Sequence, residues 1–215
     1  MVDTVNTVTE PVSRQERKQR TRQSLLDAAW ELLAVRSFDA LSLREVAKRA
    51  GIVPTAFYRH FSSMEELGVT LVEQSMRTLR GMIREARTRP TQPSEMIRAS
   101  VHTLYEHVRA HEDHFRFLTR ERYGGNEQVA RAIAVELKLF SSELAIDLVR
   151  LENLREWNSD DLHMMADLIV TAMLATVLDL LEARTRDKDT DQAIKTVAEK
   201  RLRLIFLGVP HWRSS

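Results

Sequence analysis

The chain has 215 residues, 43% of them apolar and 29% charged, enough to bury a core and typical of a soluble protein. Cysteine is absent, which excludes disulfides, thiolate metal sites and cysteine nucleophiles. The net charge of +1 hides an asymmetry: between positions 13 and 60, ten Lys/Arg face five Asp/Glu, while the remainder is mildly acidic. A basic N-terminal quarter points to a polyanion partner for that part only, with a solvated basic surface as the ordinary alternative. Six Gly and five Pro are too few to turn many strands, so an all-α protein is expected.

In chain order, residues 1–12 read as a disordered tail without a signal-peptide core, and a cytoplasmic location is expected. Helix one is predicted over 14–35, with Leu25, Ala28, Ala29, Leu32 and Leu33 on one face. Helix two opens on Ser42-Leu43-Arg44-Glu45, a capping box in which the Ser42 hydroxyl takes a first-turn amide and Glu45 reaches back. It ends at Ala50, with Gly51 in the left-handed position beyond. Helix three is short, 54–60, with Pro54 in its first turn. Helix four starts at Ser62 or Ser63 and runs to about Arg87, and the stretch 89–93 breaks the chain. Helices five (93–110), six (112–122), seven (127–154), eight (159–184) and nine (190–206) follow, about nine helices in all. The apolar run 164–181 contains Asp167 and Asp179, which are costly in lipid, so it reads as a buried helix and not a membrane span.

Two short helices joined by a tight glycine turn over 42–61 make a helix-turn-helix. Ala47 is small enough for the helices to cross closely, and Val46, Ala50, Ile52 and Phe57 form the apolar set that would meet helix one. The closing run Phe57-Tyr58-Arg59-His60-Phe61, followed by Glu65-Glu66-Leu67, resembles the signature of the TetR family of transcription regulators. The resemblance covers the first ~70 residues and implies a DNA-binding domain over 13–61 and a helical ligand-binding and dimerisation domain over 62–215. It implies phosphate or groove-edge contacts from Ser42 and Arg44, base contacts from Pro54, Thr55 and Arg59, and phosphate contacts from Tyr58 and His60. The residue types suit these roles: Arg pairs with guanine, and Thr offers a hydroxyl and a methyl. Two positions depart from the family pattern. Val53 stands where many members have a capping Ser, so the amides of Thr55 and Ala56 need another acceptor, for which a DNA phosphate is expected. Met64 stands where many have a Lys. The basic stretch Arg14, Arg17, Lys18, Arg20 and Arg22 would compensate along phosphates or in the minor groove.

The block 42–61, the Glu66-Leu67-Gly68 step and the run 115–124, FRFLTRERYG, further resemble the FabR and DesT type of repressor of unsaturated fatty acid synthesis. That resemblance implies a long-chain acyl-CoA or related acyl thioester as effector, and repression of lipid genes. A long apolar slot between helices would take the chain, with Val101, Leu104, Tyr105, Val108, Phe117, Leu118, Phe140, Leu144, Met173 and Val177 as candidates. Arg116 and Arg120, four apart, could meet the CoA phosphates, or simply pair with Glu112 or Glu121. The family also implies a homodimer through the last two helices. Helix eight, apolar on most sides, is expected to be buried all round.

His107 and His111 have the spacing of a helical zinc pair, but no third ligand completes a site, and no metal or other cofactor is expected. No nucleophile with its base and no phosphate-binding glycine loop is found, so catalysis is not expected. The main alternative is a TetR-type regulator of drug efflux or of a catabolic operon, answering to a different apolar ligand.

Overall fold

The computed structural model describes residues 13–88, 92–183 and 187–214. The expected disordered tail over 1–12, the break at 89–91 and the end of helix eight at Arg184 lie outside the described residues.

Among the described residues the regular elements are all helical: α1 (Arg14–Leu33), α2 (Leu43–Arg49), α3 (Pro54–Phe57), α4 (Met64–Thr88), α5 (Pro93–Ala110), α6 (Glu112–Glu121), α7 (Glu127–Leu148), α8 (Ser159–Glu182) and α9 (Lys188–Leu207). Single 3-10 turns add Phe38–Ala40, Glu152–Leu154 and Val209–His211. Local chemistry sets several boundaries. Ser13 and Glu16 close a capping box on α1, and Ser42 and Glu45 close another on α2. At the other end of α2, Gly51 has φ +73°, the Ile52 amide donates to the Ala47 carbonyl at 3.0 Å and the Gly51 amide to Lys48 at 3.1 Å. That is a Schellman stop, and it turns the chain into α3.

Two helices end earlier than the sequence suggests. The α-helical part of α3 stops at Phe57, and Tyr58 to His60 continue as a tightened turn. The α7 helix stops at Leu148, six residues short, without a breaker residue. The chain bends there to sink Leu154, 1% exposed, into the core. The C-terminal segment packs on the same corner: Trp157 meets Trp212 at 6.3 Å, and the Asn158 amide donates to Ser214 Oγ at 2.8 Å.

The apolar interior falls into three clusters. The first joins α1, α2, α3 and the start of α4 to Phe117 and Leu118 of α6 and Val129 and Ile133 of α7. The helix-turn-helix therefore shares its core with the rest of the chain. The other two clusters fill the space between α4, α5, α7, α8 and α9. A largely buried ion pair, Arg80 with Glu136, ties α4 to α7, and Glu143 joins it 3.6 Å from Arg80. Of the described helices, α8 is long and apolar enough to cross a membrane. It packs instead against α7 and α9. Contrary to expectation α8 is not buried all round: Met164, Leu168 and Leu178 stay exposed in the single chain.

Gly68 lets α4 approach closely. A Cβ there would stand 2.5 Å from the Phe38 ring and 2.8 Å from Val129. Both neighbours are wedged in the first cluster, so neither can swing away. Gly68→Ala gains about 1 kcal/mol of helix propensity, but overpacking of this kind costs about 1–3 kcal/mol. The expected net result is a lower urea midpoint. A midpoint unchanged or raised would show that the junction gives way.

Candidate functional site

On the helix-turn-helix, Ser42, Arg44, Pro54, Thr55, Tyr58 and Arg59 are exposed, as are Arg17, Lys18 and Arg20 on α1. His60 is half-buried among them. Its imidazole is held below its ordinary pKa first by burial and then by the nearby charges of Lys18, Arg22 and Arg59. Its Nδ1 is buried without a hydrogen-bond partner. A neutral ring with an open nitrogen, ringed by cations from α1 and the recognition turn, is a place where an anion would be welcome. Arg22 is fixed 4.2 Å over the Phe61 ring and reaches Thr70 Oγ1 at 3.4 Å. Glu45 is held down to about 2, chiefly by its hydrogen bond from Arg36 and then by Ser42, so the cap of α2 stays ionised at ordinary pH. Val53 is 64% exposed and offers no cap. The Ala56 amide, expected to be open, donates to the Val53 carbonyl at 2.9 Å. Among the described residues only the Thr55 amide of that pair lacks an acceptor.

The second feature is an apolar cavity of about 180 Å³ between α4, α5, α6, α7, α8 and α9. Leu104, Leu118, Phe140, Leu144, Met173 and Val177 line it. The other ligand candidates lie elsewhere. Val108 is fully buried in the cluster behind it. The Tyr105 hydroxyl donates to Asp191 at 2.7 Å, beside the Arg109–Asp191 ion pair. Phe117 points the other way, edge-on to Trp30 at 5.3 Å and to Phe38 at 6.2 Å. Arg116 donates to Glu112 at 2.5 Å and to the Leu181 carbonyl at 3.0 Å. Arg120 donates to the Arg36 carbonyl at 2.6 Å and to Glu121 at 3.1 Å. Val101 lies outside this lining as well. Arg122, absent from the candidates that the sequence suggests, is the charged side chain among the described residues of the lining. Its neighbours in sequence are also charged or aromatic, and only the packing tells it apart.

The two features meet at α6. The Glu121 carboxylate, 2% exposed, accepts from the Phe38 amide at 3.1 Å, and Phe38 begins the turn that leads into α2. The His114 ring stacks on Trp30 of α1 at 3.8 Å and lies 3.4 Å from Ser75 Oγ of α4. His107, His111 and His114 follow one another at ring distances of 4.7 and 5.3 Å. Among the described residues no group of three His, Cys, Asp or Glu has the geometry to hold a metal ion. Met164, Leu168 and Leu178 of α8 and Val197, Leu204 and Leu207 of α9, two helices that pack on each other, are all exposed, at spacings of 4 and 10 and of 7 and 3 that keep each set on one side of its helix. Such a stripe on two adjacent helices has the pattern of a helix-packing face.

A basic helix-turn-helix fused to a helical body that holds an apolar cavity defines a ligand-responsive, DNA-binding regulator. The sequence matches the model of bacterial regulatory proteins of the tetR family over residues 25–68, and that of the tetracyclin repressor-like C-terminal domain over residues 93–207. The chain belongs to the TetR family, and as such it is a transcription regulator that binds operator DNA, dimerises and takes a small ligand, and not an enzyme. Solved structures share the fold. The fatty acid degradation regulator FadR from Bacillus halodurans superposes with a TM-score of 0.66 at 17% identity, over 86% of this chain and 94% of that one. GusR of Salmonella enterica gives 0.68 at 20% identity, over 92% and 100%. A tetR-family transcriptional regulator from Streptomyces coelicolor gives 0.68 at 17% identity, over 90% and 84%.

His114 makes the α1–α6 junction pH-sensitive. Burial, then His111 and His107, push its pKa down to about 4, against 6.5 for a free imidazole. The unfolded chain then binds more protons than the folded one between those values, so stability falls as pH drops from about 6.5 to about 4. His114→Gln should flatten that part of the stability–pH curve, measured by urea unfolding at each pH. An unaltered slope in the variant would assign the pH dependence to other groups.

Proposed function

We propose that this protein is a homodimeric repressor of lipid or fatty acid metabolism genes whose grip on operator DNA is set by a long-chain acyl thioester. The observation that carries the ligand half is the cavity: its lining is mostly aliphatic and aromatic, as a hydrocarbon chain requires. The resemblance of 42–61 and 115–124 to repressors of unsaturated fatty acid synthesis, and the shared fold with a fatty acid degradation regulator, support the same reading. The DNA half rests on the cationic ring around His60 and on the exposed residues of α3. The helix-turn-helix would act as the reading unit over 13–61, and the helices over 62–215 as the sensing and pairing unit. The protein would work in the cytoplasm, where its operator is.

In this mechanism the exposed stripes of α8 and α9 pair with their copies in a second subunit. The two recognition turns then enter successive major grooves, about 34–36 Å apart. Arg59, Thr55 and Pro54 read base edges, while Ser42, Arg44, Tyr58, His60 and the cations of α1 hold phosphates. A chain in the cavity presses on Phe115 and Leu118 of α6. Phe117 and Glu121 of the same helix bear on Trp30 and Phe38, so a small shift of α6 tilts the reading head. Coupling of about 1–3 kcal/mol, typical between such sites, would change occupancy about 5–150-fold.

Two experiments check the two halves. Arg59→Ala should lose about 1–3 kcal/mol of preference for operator over scrambled DNA, whereas Arg17→Ala should weaken both and flatten the salt slope by about one. Equal losses on both DNAs for Arg59→Ala would remove it from base reading. For the effector, fluorescence anisotropy on DNA from upstream of the protein's own gene is followed with palmitoyl-CoA and with oleoyl-CoA at fixed salt. Different shifts of affinity by the two thioesters are expected. Tight DNA binding that neither thioester alters would end the acyl-thioester reading and leave the DNA role standing.

A further inference from the structure

A hydrocarbon chain in the cavity accounts for one end of a ligand, and the assignment of its other end rests on that reading. Besides its hydrocarbon wall, the cavity presents three hydroxyls, Ser100, Thr119 and Tyr123, and one charge, Arg122. The Thr119 hydroxyl is already bonded to the Phe115 carbonyl at 2.8 Å and lies 3.2 Å from that of Arg116. Tyr123 is 83% exposed, so the end it shares with Arg122 is the solvent end of the slot. The Arg122 guanidinium lies 5.2 Å from the centre of the Tyr123 ring, and among the described residues it has no hydrogen bond and no ion pair. The neighbouring arginines of α6 are engaged with Glu112, Glu121 and backbone carbonyls. A half-buried cation at the edge of an apolar slot loses hydration, and among the described residues it has only the exposed Tyr123 ring in return. A neutral chain filling the slot would deepen that loss. A chain ending in an anion would offset it with charge-assisted hydrogen bonds in a low-dielectric setting.

We propose that Arg122 is the headgroup site of this regulator, selecting ligands that join a long apolar chain to an anionic end. A carboxylate and the phosphates of a thioester carrier share that chemistry. The site also has a route to the DNA-binding helices. Arg122 follows Glu121 in sequence, and Glu121 holds the Phe38 amide, so an anion drawing Arg122 toward the slot pulls directly on the link into α2.

The test is calorimetric titration of wild type, Arg122→Gln and Arg122→Lys with oleate, oleyl alcohol and oleoyl-CoA, each below its micellar concentration, with thermal unfolding to establish that the variants fold. Wild type should bind at least one anionic form about 10-fold or more tightly than the alcohol, a difference in line with one charge-assisted contact. Arg122→Gln should bring that ratio to within about 2-fold while the alcohol binds as before, and Arg122→Lys should restore much of the preference. If oleate carries the effect, the head is a carboxylate; if only oleoyl-CoA does, it is phosphate. Retention of the full anion preference in Arg122→Gln would overturn the headgroup site and leave the apolar-chain reading intact. Wild type that binds neither the alcohol nor the anions would overturn the apolar-chain reading and this site with it.

Discussion

The structure turns on a carboxylate that has no business in a core. Glu121 sits 2% exposed at the end of α6, and its charge is compensated by Arg120 and by the main-chain amide of Phe38. Removing either partner would strand a buried anion, so the end of α6 and the start of the helix-turn-helix are bound to move as one piece. Around this link the packing is aromatic and directional. Phe117 lies edge-on to Trp30 and Phe38, and His114 lies flat on Trp30. Close-packed rings of this kind do not deform gradually. They hold one arrangement or shift to another, which is what a two-state switch needs.

The same helix forms part of the cavity wall on its other side. Phe115 and Leu118 face the slot, while Phe117 and Glu121 face the reading head. Residues 115 and 118 are three apart and share a face, and 117 and 121 are four apart and share another. In the proposed mechanism ten residues of helix thus carry both ends of the coupling, and the signal has only the thickness of one helix to cross. The buried Arg80–Glu136 pair braces α4 against α7.

Much of this is legible in the sequence. The capping box at Ser42, the stop at Gly51 and the opening of α5 at Pro93 are local chemistry, written in neighbouring residues, and the fold follows them. The early end of α7 is not legible, because nothing between Val149 and Leu154 breaks a helix. The bend is imposed by where Leu154 and Trp157 can be buried, and that depends on Trp212 and Ser214, more than fifty residues away. The cavity shows the same division. An apolar slot is implied by the resemblance to acyl-responsive repressors, and six of the residues suggested for it line the cavity. Which of Arg116, Arg120 and Arg122 faces the slot depends on rotation about the helix axis and on partners such as Arg36 and Leu181, which the spacing of arginines does not reveal. Tyr105 illustrates a further limit. Its ring has the size for a pocket wall, yet its hydroxyl is drawn to Asp191, a polar attraction across 86 positions.

The apolar stripes on α8 and α9 have a consequence for how the protein is made. They belong to the last two long helices of the chain, whereas α1 to α4 are synthesised first and begin to organise while the remainder is still being translated. A chain interrupted before α8 would carry all of the proposed DNA-contacting side chains but none of these stripes, and the helix-turn-helix would lack the Phe117, Val129 and Ile133 shelf on its core if the interruption fell before α6. On the proposed pairing through α8 and α9, the gripping surface is finished before the means of doubling it. Fragments released by premature termination would hold single half-sites weakly instead of competing with the finished regulator.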